Sequence, residues 1–374
     1  MNLPIAMIVP GGIGIEHNIP SLVQLIHRLS SSRVIYLYSF SSEKIHPLLV
    51  SENIIHTVPL TWCRRNHYAS MLYFIFKLLL DYRTHKFTLL HSHWIAPAGL
   101  TGTIANIFLK LPFMITLPGG DTVNIPSIKY GGIRSPLHLF LIRWCCHRAD
   151  CIVVLTDFQE AIMRSNGINP KNLRTIPYGV DISQFHFQPK QISVPLQLIS
   201  VGNINPVKNI FLQLQTIASL LDRIDCRLMI VGPDLMEGEL KKAAESLNIA
   251  DRIEWKGKSR HSEIPSLLHS AHILLHTAQY DAEAVVVMEA FSAGTVVTGT
   301  RVGLLSDCDT EGNYTIDNSD AAMLTEKILT IARDPQLYAS LQKKNRTYAE
   351  QHSIDWTASK YEMVYQELFG RDSK

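Results

Sequence analysis

Paired cysteines are missing from this chain. The six it has, Cys63, Cys145, Cys146, Cys151, Cys226 and Cys308, form no Cys-x-x-Cys spacing. That removes zinc-ribbon and dithiol redox chemistry and leaves reduced thiols in a cytoplasmic protein as the expectation. Charge is also scarce: 18% charged residues against 46% apolar ones excludes an extended disordered chain. No charge-free apolar run reaches membrane length, since the most apolar long window, Ala98 to Leu117, contains Lys110 and Pro112. The opening MNLPIAMIVPGG lacks a basic flank and reads as a strand, not a signal peptide. Short-period repeats and low-complexity tracts are absent. No His/Asp cluster has metal-ligand spacing, so no metal is expected; no cofactor and no nucleic-acid partner are expected.

What is present is alternation. A length of 374 residues predicts two domains, each with its own core. Apolar strand-like runs alternate with amphipathic stretches: Ile5 to Pro10, Ile19 to Ser30, Arg33 to Phe40, Tyr68 to Leu80, Thr88 to His93, Ala98 to Leu109, Phe113 to Leu117, Cys151 to Thr156 and Leu173 to Gly179. The rhythm is that of an α/β protein with a doubly wound parallel sheet. Phe187 to Gln197, with two prolines and no period, reads as a linker. The rhythm then restarts at Leu196 to Gly202, Arg227 to Gly232 and Arg252 to Gly257.

The most informative stretch is YDAEAVVVMEAFSAGTVVTGT, Tyr280 to Thr300. It follows a buried strand, His272 to Ala278, and turns helical near Ala284, with Ala284, Val287, Met288 and Phe291 on one face. A helix N-terminus at the carboxyl edge of a sheet offers free N–H groups to an anion such as phosphate. Asp281 and Glu289 bracket it, and Glu289 is expected about two helical turns in. A carboxylate there can accept two hydrogen bonds from a ribose diol while a diphosphate sits on the helix end. The plainer alternative is two acids near a helix start, where they favour the dipole.

The stretch resembles the signature of the retaining GT-B-fold glycosyltransferases, in which glutamate, seven residues and glutamate precede Ala-x-x-x-Gly and a Val-rich strand. Asp281 takes the first glutamate and Glu289 the second, with Ala290, Gly294 and Thr295 to Val297 in register. Ser200 to Leu220 is similar to the family's diphosphate loop: Lys208 holds the lysine position, and Asn203, after Gly202, stands where arginine is usual. Ile230 to Leu235, Asp251 to His276, His91 to Gly99, Arg148 to Ile168, Ile176 to Phe185 and Ile354 to Leu368 match further segments, so the resemblance spans nearly the whole chain. One departure is Pro118 in TLPGGD, where the family has a sugar-contacting histidine; Gly119, Gly120 and Asp121 follow it, and His93 is a candidate substitute.

The resemblance implies two Rossmann-like domains facing each other across a cleft: 1–190 for the acceptor, 191–352 for the nucleotide sugar, and 353–374 as a helix crossing back to the first domain. It implies sugar transfer from a nucleotide-diphosphate sugar to a glycan, lipid-linked or small-molecule acceptor, with retention, as in polysaccharide biosynthesis. Asp281, Lys208, Gly119, Gly120 and His93 are the expected reacting-centre residues. Gly11, Gly12 and Gly14, with Gly202, Asn203, Gly257, Lys258, Glu283, Ala284, Val285 and Glu289, are the expected donor contacts. The phosphate itself takes the acceptor proton, so no protein base is required. The altered positions Asn203, Asp281 and Pro118 keep open a catalytically weakened subunit that binds a partner. A sugar-nucleotide 2-epimerase shares the fold, and the Ala290 to Gly294 region argues against it.

Charge is divided unevenly. Residues 1–190 hold 17 Lys+Arg and 9 Asp+Glu; residues 191–374 hold 18 and 24. Within the basic half, Trp62 to Lys86 and His138 to Arg148 mix arginine with aromatic and aliphatic residues. Peripheral docking on an anionic membrane face is one reading. Ordinary buried helices over Met71 to Leu80 and Leu137 to Trp144 are the other.

Overall fold

The computed structural model describes residues 3–370 apart from positions 62, 64, 65 and 318. The chain forms two compact units. One holds the residues up to Tyr178 together with the segment from Ile354 onward, and the other is Gly179–Ser353.

Short apolar runs, buried on both faces at Ile5–Val9 and Cys151–Val154, fold as strands. In the first unit these are β1 (Ile5–Val9), β2 (Ile35–Ser39), β3 (Ile54–Thr57), β4 (Leu90–His93), β5 (Phe113–Thr116), β6 (Cys151–Val154) and β7 (Leu173–Thr175). Among the described residues they make one seven-stranded sheet, ordered β3-β2-β1-β4-β5-β6-β7, and every pairing is parallel. The intervening helices are α1 (Pro20–Ser30), α2 (His67–His85), α3 (Leu100–Leu109), α4 (Pro136–Arg148) and α5 (Asp157–Ser165). Helix α2 starts where Asn66 Oδ1 accepts the N–H of Tyr68 (2.9 Å) and of Ala69 (3.3 Å). It ends at Lys86, which adopts a left-handed conformation.

Helix α2 buries only one face, through Ser70, Met71, Phe74, Leu78 and Asp81. Helix α4 buries Ile142, Cys145 and Cys146. Tyr68, Leu72, Phe76, Phe108, Leu137 and Phe140 are 63–77 % exposed, so neither helix is the ordinary buried element that its apolar content allowed. Trp62, Arg64 and Arg65 of the first basic segment lie outside the described residues.

The second unit repeats the plan with β8 (Leu196–Val201), β9 (Cys226–Val231), β10 (Ile253–Gly257), β11 (Ile273–His276), β12 (Val296–Thr300) and β13 (Thr315–Ile316). Its described residues form a parallel six-stranded sheet ordered β10-β9-β8-β11-β12-β13. The helices are α6 (Ile210–Leu221), α7 (Glu239–Ser246), α8 (Ile264–Ser270), α9 (Val285–Ala293), α10 (Leu304–Cys308), α11 (Ala321–Arg333) and α12 (Pro335–Gln351). The segment 187–197 is not a free linker. Lys190 Nζ donates to the carbonyls of Leu268 and Ala271 and to Thr295 Oγ1, each at 2.7 Å, which satisfies acceptors at the end of α8.

The last helix, α13 (Ile354–Phe369), packs in the first unit against α1. Polar groups anchor it. His91 bridges the hydroxyls of Tyr365 (2.7 Å) and Thr116 (2.9 Å), and Thr357 Oγ1 donates to the Pro177 carbonyl at 2.9 Å. Arg33, whose side chain is fully buried, is paired with Glu362 and lies over the Tyr365 ring. Removing Glu362 leaves that guanidinium buried without its carboxylate. Glu362→Ala is expected to destabilise the first unit by about 3 kcal/mol, read as a drop in its urea midpoint with the second unit's transition unmoved.

Candidate functional site

In open parallel sheets ligands sit beyond the carboxyl ends of the strands, where the strand order reverses. The second unit reverses between β8 and β11. Beyond β8 the chain passes Gly202 and the exposed Asn203 into a single turn over Pro206–Lys208, held by Asn205 Oδ1 accepting the Lys208 N–H at 3.2 Å. Beyond β11 it runs through Thr277 to Asp281. These two excursions meet. Lys208 Nζ donates to Asp281 Oδ2 at 2.5 Å, and Asp281 Oδ1 accepts the Ala284 N–H at 3.1 Å.

Ala284 is left-handed, with φ +67, and α9 begins only at Val285. Residues 282–284 are therefore not helical, and Glu289 lies about one turn into the helix, not two. No acidic side chain occupies the first turn of α9, so its N–H groups face no carboxylate of their own. The Glu283 carbonyl accepts the Leu304 N–H at 3.0 Å, bracing the turn from β12's side. Glu289 is buried, and its Oε1 is 2.7 Å from His261 Nε2. Gly257 ends β10 at φ +71, and Lys258 after it is exposed.

His276 escaped the sequence reading. Its signal is one polar residue ending the apolar run Ile273–His276 just before the informative stretch. It is buried, and its Nε2 lies 3.6 Å from Asp281 Oδ2. Burial, then the charge of Lys208, brings its pKa down to about 4. Burial opposes ionisation of Asp281, but Lys208 and His276 hold its carboxyl below the usual range. His261 had no such signal, being 28 residues from Glu289.

In the first unit the order reverses between β1 and β4. Gly11, Gly12 and Gly14 follow β1. Their loop already holds an internal anion: Glu43 Oε1 accepts the N–H of Glu16 and, at 3.0 Å, that of His17. A side chain at Gly14 would fall 2.2 Å from the Glu43 carboxyl carbon. His93 ends β4, fully buried, with Nδ1 2.8 Å from the Tyr178 hydroxyl. Burial lowers its pKa to about 3, so it is a neutral imidazole. Gly119 and Gly120 follow β5 on a half-exposed loop. All six cysteines are free thiols. Among the described residues no group of three or more His, Cys, Asp or Glu side chains is placed to hold a metal ion.

Residues 21–184 match the model of glycosyltransferase family 4, and residues 181–348 match that of the glycosyl transferases group 1. Together the two glycosyltransferase models take in residues 21–348, and the chain is a glycosyltransferase. Over 304 residues this glycosyltransferase is 21% identical to N-acetyl-alpha-D-glucosaminyl L-malate synthase of Bacillus anthracis, covering 76% of each chain. It is 25% identical over 198 residues to the GDP-mannose-dependent alpha-(1-6)-phosphatidylinositol dimannoside mannosyltransferase of Mycobacterium tuberculosis, covering 50% of each. Its fold matches sucrose-phosphate synthase from Thermosynechococcus elongatus at a TM-score of 0.79, with 18% identity, over 99% of this chain and 100% of the other. Anabaena HepE in complex with UDP and glucose matches at 0.78, with 16% identity, over 98% and 100%. The two parallel-sheet units are those of the GT-B fold.

The buried neutral histidines of this glycosyltransferase set an acid limit. Burial holds His91 well below its usual range, and His93 and His276 titrate near 3 and 4. Unfolded histidine titrates near 6.5. Below that pH the unfolded chain binds more protons, so stability falls as pH falls, by up to about 1.4 kcal/mol per pH unit for each histidine. Urea titrations at pH 7.5, 6 and 5 are expected to show this slope, and His276→Asn is expected to flatten it for the second unit.

Proposed function

We propose that this glycosyltransferase takes its sugar from a nucleoside diphosphate sugar bound beyond β8 and β11, and that it retains anomeric configuration. The observation that carries the reading is the meeting of Lys208, the Asp281 carboxylate and the N-terminus of α9 within one hydrogen-bonded turn. Lys208 and the first-turn N–H groups near Val285 offset charge on the departing diphosphate, and Asp281 aims the ammonium. Glu289 accepts the ribose hydroxyls, with His261 fixing its carboxylate. Gly202, Asn203, Glu283 and Ala284 border the diphosphate, and Gly257 and Lys258 the base. His93, Gly119 and Gly120 serve the sugar, and a phosphate oxygen takes the acceptor proton. The similarity to HepE, solved with UDP and glucose, supports a nucleotide donor.

Titrations with UDP, GDP and ADP, then with the matching nucleotide sugars, test this. Lys208→Ala should weaken the diphosphate at least tenfold and the nucleoside little. Glu289→Gln should weaken nucleotides by about 1.5–3 kcal/mol without unfolding the protein. Retention is read from the anomeric configuration of the product by NMR. A chain that binds nucleotide but neither transfers nor hydrolyses sugar is a non-catalytic subunit instead.

We further propose that the acceptor is carried on an anionic membrane surface. On α2, Tyr68, Leu72, Phe76 and Leu80 are exposed at four-residue spacing, and Arg83 falls within the same stripe. Phe108 on α3 and Leu137 and Phe140 on α4 extend the apolar face, with Arg143 and Arg148 exposed beside it. Asp81, buried and bonded to Lys77 and the Tyr38 hydroxyl, is the sole acidic residue of these three helices. No helix among the described residues is long and apolar enough to cross a membrane. Anionic vesicles should retain more protein than neutral ones at low salt, by about 1 kcal/mol per basic residue engaged. Phe76→Glu should abolish the difference. Equal retention on both vesicles would favour a soluble acceptor.

A further inference from the structure

A cavity of about 290 Å³ opens in the first unit near the ends of α3, α4 and α13. Its walls include Lys110, Arg148 and Asp150, with the apolar side chains of Leu111, Pro112 and Leu368. Pro112 precedes β5 and Asp150 precedes β6, so the cavity lies at the amino edge of the parallel sheet. The loops after β1, β4 and β5 leave from the opposite edge, and no residue assigned above to nucleotide or sugar lines this cavity.

The polar wall is largely spent on backbone. Asn106 Nδ2 donates to the Leu111 carbonyl, and its Oδ1 accepts the Leu111 N–H, both at 2.8 Å. Asp150 Oδ2 accepts the Phe113 N–H at 2.9 Å, and the Asp150 carbonyl accepts from Asn172 Nδ2 at 3.1 Å. These bonds give the cavity a fixed rim. Lys110 and Arg148 are different. Both are exposed, and among the described residues neither side chain is paired with a carboxylate. Arg28, Arg33, Lys77, Arg164 and Arg174 of the same unit each hold one. Cations at helix C-termini favour the dipole, which accounts for their sign. It does not account for an apolar wall in the same cavity.

Two apolar edges lead to it. On α4, Leu137, Phe140, Trp144 and Arg148 follow one another three or four residues apart, on one stripe of the helix. Leu137 and Phe140 are 65 and 63 % exposed. On α3, Ile107 and Phe108 are 42 and 66 % exposed just before Lys110. An apolar surface that ends at two unpaired cations has the polarity of an anionic lipid, chains first and headgroup after.

We propose that this cavity receives the phosphodiester headgroup of an anionic phospholipid, with the Arg148 guanidinium and the Lys110 ammonium on its phosphate oxygens and its acyl chains leaving over Phe108 and Phe140. Arginine grips phosphate oxygens in pairs, and lysine acts as a point charge. Two cations and one carboxylate leave the wall a formal charge of +1. That matches the single charge of a phosphodiester, and not the nearly double charge of a phosphomonoester. Ligand sites begin at about 300 Å³, so the cavity suits a headgroup and not a whole nucleotide. The site rests on reading α2 to α4 as a membrane-docking face. It adds to that face a choice of headgroup, which a diffuse basic surface does not make.

Phosphorus NMR titration with dihexanoyl phosphatidylglycerol, kept below its micelle concentration, tests the cavity without a membrane. The wild type should shift and broaden the resonance. Arg148→Gln and Lys110→Gln should each weaken binding at least tenfold. Arg83→Gln, which removes the same charge from α2, should stay within twofold of the wild type. Dihexanoyl phosphatidylcholine has the same chains without net charge, and glycerol 3-phosphate has a phosphate without chains. Each should bind at least tenfold more weakly than the phosphatidylglycerol. Absence of phosphatidylglycerol binding, or an equal loss in Arg83→Gln, overturns the site. Equal binding of the phosphatidylcholine means apolar adsorption only, and equal binding of glycerol 3-phosphate means a small-anion site; either result also overturns it. Phe76→Glu should release the protein from anionic vesicles yet leave short-chain binding within twofold, so the two readings fail separately. Vesicle retention with no short-chain binding keeps the docking face and refutes the cavity. Short-chain binding lost in Arg148→Gln, with no vesicle retention, upholds the cavity and refutes the docking face.

Discussion

The loops beyond β8 and β11 are joined through one carboxylate. Asp281 is a short side chain in a non-helical turn, and it reaches two places at once: the ammonium of Lys208 on one excursion and the N–H of Ala284 on the other. Without it, Lys208 would be a solvated loop lysine, and the turn before α9 would lose the bond that offsets a left-handed alanine. Strain of order 1 kcal/mol at a residue with a Cβ is tolerable when such bonds fix it. The helix starts at Val285, and the non-helical turn before it carries Asp281 to Lys208.

Much of this could be read from residue order alone. Ile5–Val9, between Pro4 and Pro10, and Cys151–Val154 are apolar and rich in β-branched residues, the pattern of parallel strands buried on both faces. The apolar run before Asp281 and the helical spacing after it located the turn between β11 and α9, because a helix following a buried strand opens at the sheet's carboxyl edge. Periodicity could not locate the partners. His261 reaches Glu289 through tertiary packing, and Glu43 reaches the loop after β1 from 27 residues away. The depth of Glu289 was misjudged because no local rule forces residues 282–284 out of the helix. That follows from Ala284's left-handed backbone and from Leu304 bonding to Glu283.

Helices α2 and α4 show another limit. Their apolar residues exceed what one buried face can use, so composition alone fits a core helix and a docking helix equally well. Only the sheet they rest on decides which residues turn inward. Lys190 shows the opposite error: a segment without period or regular structure is nonetheless tied by three hydrogen bonds to the end of α8 and to Thr295 before β12. Absence of pattern in a sequence is not absence of order in the molecule.

The placement of α13 has a consequence for biosynthesis. The first unit is discontinuous, since residues 179–353 intervene between its body and its final helix. As the chain leaves the ribosome, the second unit is complete before the first. Until Ile354–Phe369 emerges, Arg33, His91 and Thr116 lack the partners that α13 supplies. The nascent amino-terminal portion must therefore wait with a buried cation and an imidazole unmatched while some 175 residues of insert are translated, about 10–35 s at ordinary elongation rates. A stalled or prematurely terminated message would thus release a competent insert attached to an unfinished scaffold, with α1 uncovered where α13 packs on it, a natural client for chaperones.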